Sequence, residues 1–219
     1  LSNSAGTVLD PVFSLRVRVP LAPGEVRTLV FATFVGPTRE AALELTDQLR
    51  QQGGFERVAM QAWTYARAGL HYMHVELAEA RLFQALAGPL VYPDARRRAD
   101  RDVIAANVAG APALWRFGIS GDRPILLLRC TAESELESVR QALRAQEFWR
   151  IKQLLVDVVL LNERAYSYQQ ELRQALEEAV RGARAWTEGV AAARRPLVAV
   201  LDATALAPQE LTALLSAAR

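Results

Sequence analysis

The sequence predicts a mixed α/β chain: an N-terminal β-hairpin, then a helical connector, then a small parallel βαβαβα module in three layers. Three observations predict it. Apolar and polar residues alternate strictly near the start, apolar positions recur at helical spacing in the middle, and beyond Gly110 short apolar runs alternate with longer helical segments. With 219 residues, 51% hydrophobic and 23% charged, the chain is neither disordered nor collagen-like. A chain of this length buries roughly 70–75% of its unfolded surface, enough for one large domain or two small ones.

Phe13, Leu15, Val17 and Val19 alternate with Ser14, Arg16 and Arg18, the period of a strand with one wet face. Val26 to Val35 reads as a second strand. Between them Pro23-Gly24 supplies a fixed φ followed by a residue that accepts positive φ, as a type II turn requires. Two strands alone are marginal in water, so this hairpin needs the following helices or further sheet to pack on. Thr38 after Pro37 places a hydroxyl where it caps free N–H groups, and Glu40 sits in the first turn of a helix running to about Gln52. Gly53-Gly54 stops that helix. Phe55, Val58, Ala59, Ala62, Trp63, Ala66 and Leu70 then mark a long amphipathic helix. Ala80 to Leu86 continues the helical signal until Gly88-Pro89 and Pro93, and the polar stretch Asp94 to Asp102 is the expected internal boundary.

The strand Ile125 to Leu128 precedes a helix from about Ala132 to Lys152. A strand from Leu155 to Leu161 follows, then a helix from about Ser167 to Ala185, the strand Leu197 to Leu201 and a last helix from Pro208 to Ala218. Uninterrupted apolar strands separated by helices imply parallel pairing with both faces covered and right-handed crossovers.

Lys plus Arg is 26 and Asp plus Glu is 24, a net charge of +2 spread along the chain, which argues against a nucleic-acid partner. Lys152 is the only lysine, and Arg96-Arg97-Arg98 reads as a solvated loop. Cys130 is the only cysteine, so no intrachain disulfide forms, and a reducing compartment is the simpler setting. No run approaches the ~20 apolar residues of a membrane span, so this segment is expected to be soluble and to make no direct membrane contact. Leu1-Ser2-Asn3-Ser4-Ala5-Gly6 carries no initiator Met and leads at once into strand-like sequence, which predicts a segment of a longer protein.

Candidate chemistry gathers at few places. In an open parallel sheet, ligands sit beyond the carboxyl ends of the strands, here Arg129-Cys130, Asn162-Glu163-Arg164 and Asp202. Glu163 and Asp202 are candidates for a paired acid and base, or with Asn162 for holding sugar hydroxyls; the alternative is that they simply begin loops. Gly118 to Pro124 is the densest loop signature. It is neither a P-loop nor a dinucleotide fingerprint, so no cofactor is expected, and a structural turn is favoured, with Asp122 its candidate contact residue. His71 and His74 share one helical face, but two ligands do not make a metal site. Cys130 reads as an inert core thiol. Trp63, Trp115, Phe148 and Trp149 read as core, although aromatics also form platforms for sugar rings.

Several blocks taken in order carry a family resemblance. These are Gly6 to Arg16, the Leu21 to Glu25 turn, the Thr38 to Ala42 helix start, Leu114-Trp115 with Gly118 to Ile125, then Glu147-Phe148-Trp149-Arg150 and Leu160-Leu161-Asn162-Glu163. Together they resemble the cyclic β-1,2-glucan synthases, which are similar in their carboxyl-terminal part to the glycosyltransferase family 36 and glycoside hydrolase family 94 phosphorylases. The resemblance implies a large bacterial parent, anchored in the inner membrane with this segment on its cytoplasmic face. The parent builds β-1,2-glucan from UDP-glucose and carries a phosphorylase-like region. In such proteins a sandwich unit occurs twice. The implied domains are residues 1–36 as the end of a β-sandwich, 37–110 as helical connector and 111–219 as α/β module. The family's catalytic acid lies in an Asp-Asp-Leu-Trp context that this chain lacks, and its Gly-Phe-Arg-Asp sugar-binding motif is absent too, so no catalytic residue is carried over.

The expected function is therefore a non-catalytic structural and glucan-contacting segment of a β-glucan synthase or phosphorylase. Its expected partners are other domains of the parent and β-1,2-glucan, and its candidate contacts are Asp122, Asn162, Glu163 and Asp202. Two alternatives stand beside it: a free-standing α/β carbohydrate-active enzyme using the strand-end carboxylates, and a ligand-free interdomain scaffold.

Overall fold

A computed structural model describes residues 14–164, 171–184 and 188–219. The chain divides into two compact units, Leu1–Ala62 and Trp63–Arg219.

In the first unit the Pro23-Gly24 turn forms as its residues dictate. Glu25 donates its N–H to the Ala22 carbonyl at 3.0 Å, and Gly24 takes φ +79°. The flanking residues, however, pair into no strand, and the expected hairpin is absent from the described residues 14–36. Phe13 lies outside the described residues. Leu15 and Val17 are 79% and 58% exposed, Val26 and Val35 91% and 92%. The alternation marks which face a strand would bury but supplies nothing to bury it against, and an isolated two-stranded ladder does not hold. Helix α1 (Arg39–Arg50) begins where Thr38 Oγ1 accepts the Ala41 N–H. Gly53 closes it at φ +73°, and Gly54 opens α2 (Gly54–Tyr72) so tightly that a Cβ there would lie 2.5 Å from the Leu49 carbonyl oxygen.

The second unit holds the rest of α2 and then α3 (Leu77–Val91), α4 (Arg101–Ala105), α5 (Pro112–Trp115), β1 (Ile125–Cys130), α6 (Leu136–Ile151), β2 (Asp157–Asn162), α7 (Glu171–Arg184), β3 (Val198–Asp202) and α8 (Pro208–Ala217). Gly88-Pro89 does not end α3. Pro89 falls in its final turn, where the missing N–H costs one bond, and Leu90 beyond it is buried. The strands form one parallel sheet in the order β1-β2-β3. Successive β2 residues alternate between its faces. Val158 and Leu160 pack with Val139 and Leu143 of α6 and with the Leu172, Leu176, Val180 stripe of α7, while Val159 and Leu161 pack with Leu114 of α5 and Ala213 and Leu214 of α8. Three layers result, with α6 and α7 on one face and α5 and α8 on the other.

A third cluster joins α3 to the outer side of α6. Phe83 and Leu90 pack against Ala145, Phe148 and Trp149, the Phe83 and Phe148 rings meet edge to face at 5.8 Å, and the Trp149 indole N–H donates to the Phe83 carbonyl at 2.8 Å. This is why the second half of α6 is buried nearly all round. Buried polar groups fix the amino-terminal ends of the strands. Gln146 donates to the carbonyls of Val156 and Leu197 at 2.9 and 2.8 Å, and the Asp157 carboxylate accepts the Leu197 N–H at 2.8 Å.

Candidate functional site

The three strands end in one row. Cys130 stands beside Asn162, and Asn162 beside Asp202, so parallel pairing brings the sequence-predicted residues of the carboxyl edge together. Asn162 Nδ2 donates to Asp202 Oδ1 at 2.9 Å, and Asn162 Oδ1 accepts the Arg164 N–H at 3.1 Å. Glu163 pairs with Arg129 across the β1–β2 boundary at 2.8 Å. Arg173, on α7, closes onto the other Asp202 oxygen and reaches Glu177 at 2.9 Å. Burial alone would push the Arg173 pKa down, but the Asp202 and Glu177 carboxylates outweigh it, and the net shift is upward. Arg164 pairs with Glu133 at 3.3 Å.

Chemically this edge is a set of guanidinium and amide clamps. The carboxylates proposed as acid and base each engage an arginine, and the clamps tie β1 to β2, β2 to β3 and β3 to α7. Among the described strands the order 1-2-3 does not reverse, and α6 and α7, which cross between them, lie on one face. Four clefts among the described residues, of about 380, 190, 330 and 330 Å³, are lined by residues other than Asn162, Glu163 and Asp202.

Cys130 is buried in the same row. Burial, with the nearby Glu135 and Glu163 carboxylates adding to it, pushes its thiol up to about 11, so the thiol is protonated at neutral pH. Glu135 caps the entry to α6. Its carboxylate accepts the N–H groups of Thr131 and Ala132 at 2.7 and 3.0 Å, and these bonds hold its pKa below the usual range.

Asp122 lies at the opposite end of the sheet. Its loop is a turn with Gly118 at φ +77° and Gly121 at φ +86°, conformations that favour glycine. Asp122 is exposed, and its N–H donates to Ser120 Oγ at 3.2 Å. Trp115 donates its indole N–H to the Ser120 carbonyl at 3.3 Å and leaves 60% of its surface exposed. Here the expectation of a core tryptophan fails, and it fails again at Trp63, which is 59% exposed beneath the Arg67 guanidinium. Phe148 and Trp149 are the core aromatics. Nothing in residue spacing separates the two kinds, because exposure depends on which helix face the neighbours cover. The His71 and His74 rings lie 6.4 Å apart, and among the described residues no cluster of three His, Cys, Asp or Glu side chains suited to a metal is found.

The fold and this arrangement are those of an α/β segment whose strand ends are cross-linked, and comparison with known proteins places it beside carbohydrate-active enzymes. The family model for the supersandwich domain of glycosyl hydrolase 94 matches residues 1–52. Over all 219 residues the chain is 34% identical to the cyclic beta-(1,2)-glucan synthase NdvB of Rhizobium meliloti (strain 1021), and it spans 8% of that protein's length. The chain is thus related, at the level of the family, to one stretch of a much larger multidomain protein. Among the described residues no helix is long and apolar enough to cross a membrane.

Proposed function

We propose that the chain is a non-catalytic, glucan-contacting structural segment of a longer cyclic β-1,2-glucan synthase or related β-glucan phosphorylase. The observation that carries the reading is an exposed indole fixed to the turn that also carries an exposed aspartate. The Trp115 indole N–H donates to the Ser120 carbonyl and the Asp122 backbone N–H to Ser120 Oγ, and in general a sugar ring stacks on an aromatic face while a carboxylate accepts its hydroxyls. Asn162, Glu163 and Asp202 serve the strand edge instead. Residues 37–110 act as connector and 111–219 as the α/β module, and residues 1–36 belong with the neighbouring domain of the longer protein. That protein is membrane-anchored, with this segment on the cytoplasmic side.

Titration with β-1,2-linked gluco-oligosaccharides, followed by the indole N–H resonances, tests this reading. A shift of the Trp115 resonance, lost in Trp115→Ala and weakened in Asp122→Asn, is expected. No change in any resonance would leave a ligand-free scaffold. Turnover of UDP-glucose, or of glucan with phosphate, that is abolished by Glu163→Ala would favour the free-standing enzyme.

A further inference from the structure

Helix α8 ends at Ala217, and the chain returns beside the edge of β1 that no other strand of the described residues pairs with, its open edge. Ala218 takes an extended conformation (φ −65°, ψ 151°) and forms a parallel bridge with Ile125, and the Arg219 N–H donates to the Ile125 carbonyl at 3.0 Å. The Arg219 side chain donates to the Leu90 and Val91 carbonyls at 2.9 and 3.2 Å, at the carboxyl end of α3 where a cation is favoured. The direction of the chain at this point is therefore set by contacts on both sides.

On the other edge of β1, the Pro124 and Cys130 carbonyls accept from Asp157 and Glu163, so even-numbered residues of β1 face β2. Backbone groups alternate sides along a strand. Those of Leu127 and Arg129 therefore point to the same open edge as the Ile125 carbonyl. A groove of about 330 Å³ runs beside this edge, with Val103, Leu127 and Leu215 among its apolar lining and Arg98 and Arg129 among its cations. Arg98 donates through Nη2 to the Ser216 carbonyl at 2.8 Å, while its Nε is buried with no partner.

We propose that the open edge of β1 is a strand-docking site, and that its occupant is the segment continuing from Arg219 in the longer protein. That segment runs parallel to β1 and completes the order 4-1-2-3. In parallel register the second residue after Arg219 donates its N–H to the Leu127 carbonyl, the Arg129 N–H donates to that same residue's carbonyl, and the first residue after Arg219 turns its N–H away. The proposal rests on the reading of the chain as part of a longer protein, and the test separates the two.

The present chain is compared by amide hydrogen exchange with the chain extended by the next ten or so codons of its reading frame. Exchange at Arg129 is expected to slow by at least about tenfold in the extended chain. Proline as the second added residue is expected to abolish that protection, and proline as the first to leave it. Equal exchange at Arg129 with and without the extension, or equal effects of the two prolines, would overturn the docking proposal alone. A reading frame that stops at Arg219 would overturn the longer-protein reading and this proposal with it.

Discussion

Replacing Trp149 by Phe tests how firmly α3 is joined to the α/β module. Trp149 is 1% exposed and donates its indole N–H to the carbonyl of Phe83, itself fully buried. The substitution removes one of two donors to that carbonyl, which lies inside α3 and keeps the N–H one turn on, so the lost bond costs about 0.5–1.5 kcal/mol. The smaller ring also leaves a void of roughly 40 Å³, which at about 24 cal/mol per Å³ adds about 1 kcal/mol. The expected loss is thus about 1.5–2.5 kcal/mol. With an m-value of about 2 kcal/mol/M in urea, the circular dichroism midpoint falls by about 1 M at unchanged slope. Trp63→Phe and Trp115→Phe, both at exposed positions, stay within about 0.5 kcal/mol of the parent. A midpoint shift for Trp149→Phe no larger than theirs would refute the assignment of Trp149 to a shared core.

Three further outcomes follow from the same geometry. Cys130, with its thiol at about 11 and buried, should be alkylated at pH 7.5 at least about 100-fold more slowly in the native chain than in urea, followed by mass spectrometry. The Glu135 pKa is lowered on folding from its ordinary 4.5, so its contribution to stability is complete above that value and is lost as pH falls through the lower folded value. The stability difference between the parent and Glu135→Gln in urea titrations should accordingly shrink as pH drops below 4.5. Gly118→Ala forces a side chain into φ +77° and should cost about 1 kcal/mol or more, whereas Gly54→Ala must push aside the Leu49 carbonyl and should lower the melting temperature further.

The second half of the chain was legible because each of its signals had a local partner. Apolar runs such as Val158 to Leu161 specify a strand covered on both faces, and the Leu172, Leu176, Val180 stripe specifies a helix packed on that sheet. The N-terminal hairpin was not legible in this way. Leu15 and Val17 alternate correctly, but alternation states a preference for a buried face without supplying the surface that buries it. The continuation of α3 through Pro89 was hidden for a related reason: burial of Leu90 outweighs one missing bond, and burial depends on α6, far along the chain.

For the candidate site, the sequence marked Asn162, Glu163 and Asp202 as strand ends, and the register that sets Asn162 beside Asp202 follows only from the strand pairing. The sequence said nothing of Arg129 and Arg173, whose approach from β1 and α7 turns the proposed reactive carboxylates into clamps. Conversely, Trp115 read as core from its apolar character alone. Its exposure emerges only once the 118–124 turn is folded and the indole N–H has found Ser120.

The proposed sugar contact lies at the amino edge of the sheet, with the carboxyl edge given over to structure. The most direct measurement is residue-resolved NMR titration of the chain with β-1,2-linked gluco-oligosaccharides, repeated with Asp202→Asn. Concentration-dependent shifts at Trp115 and Asp122, no shifts at Asn162 or Glu163, and unchanged affinity in Asp202→Asn are expected of this arrangement. Shifts centred on Asn162 and Glu163, or affinity lost with Asp202→Asn in a folded chain, would contradict it.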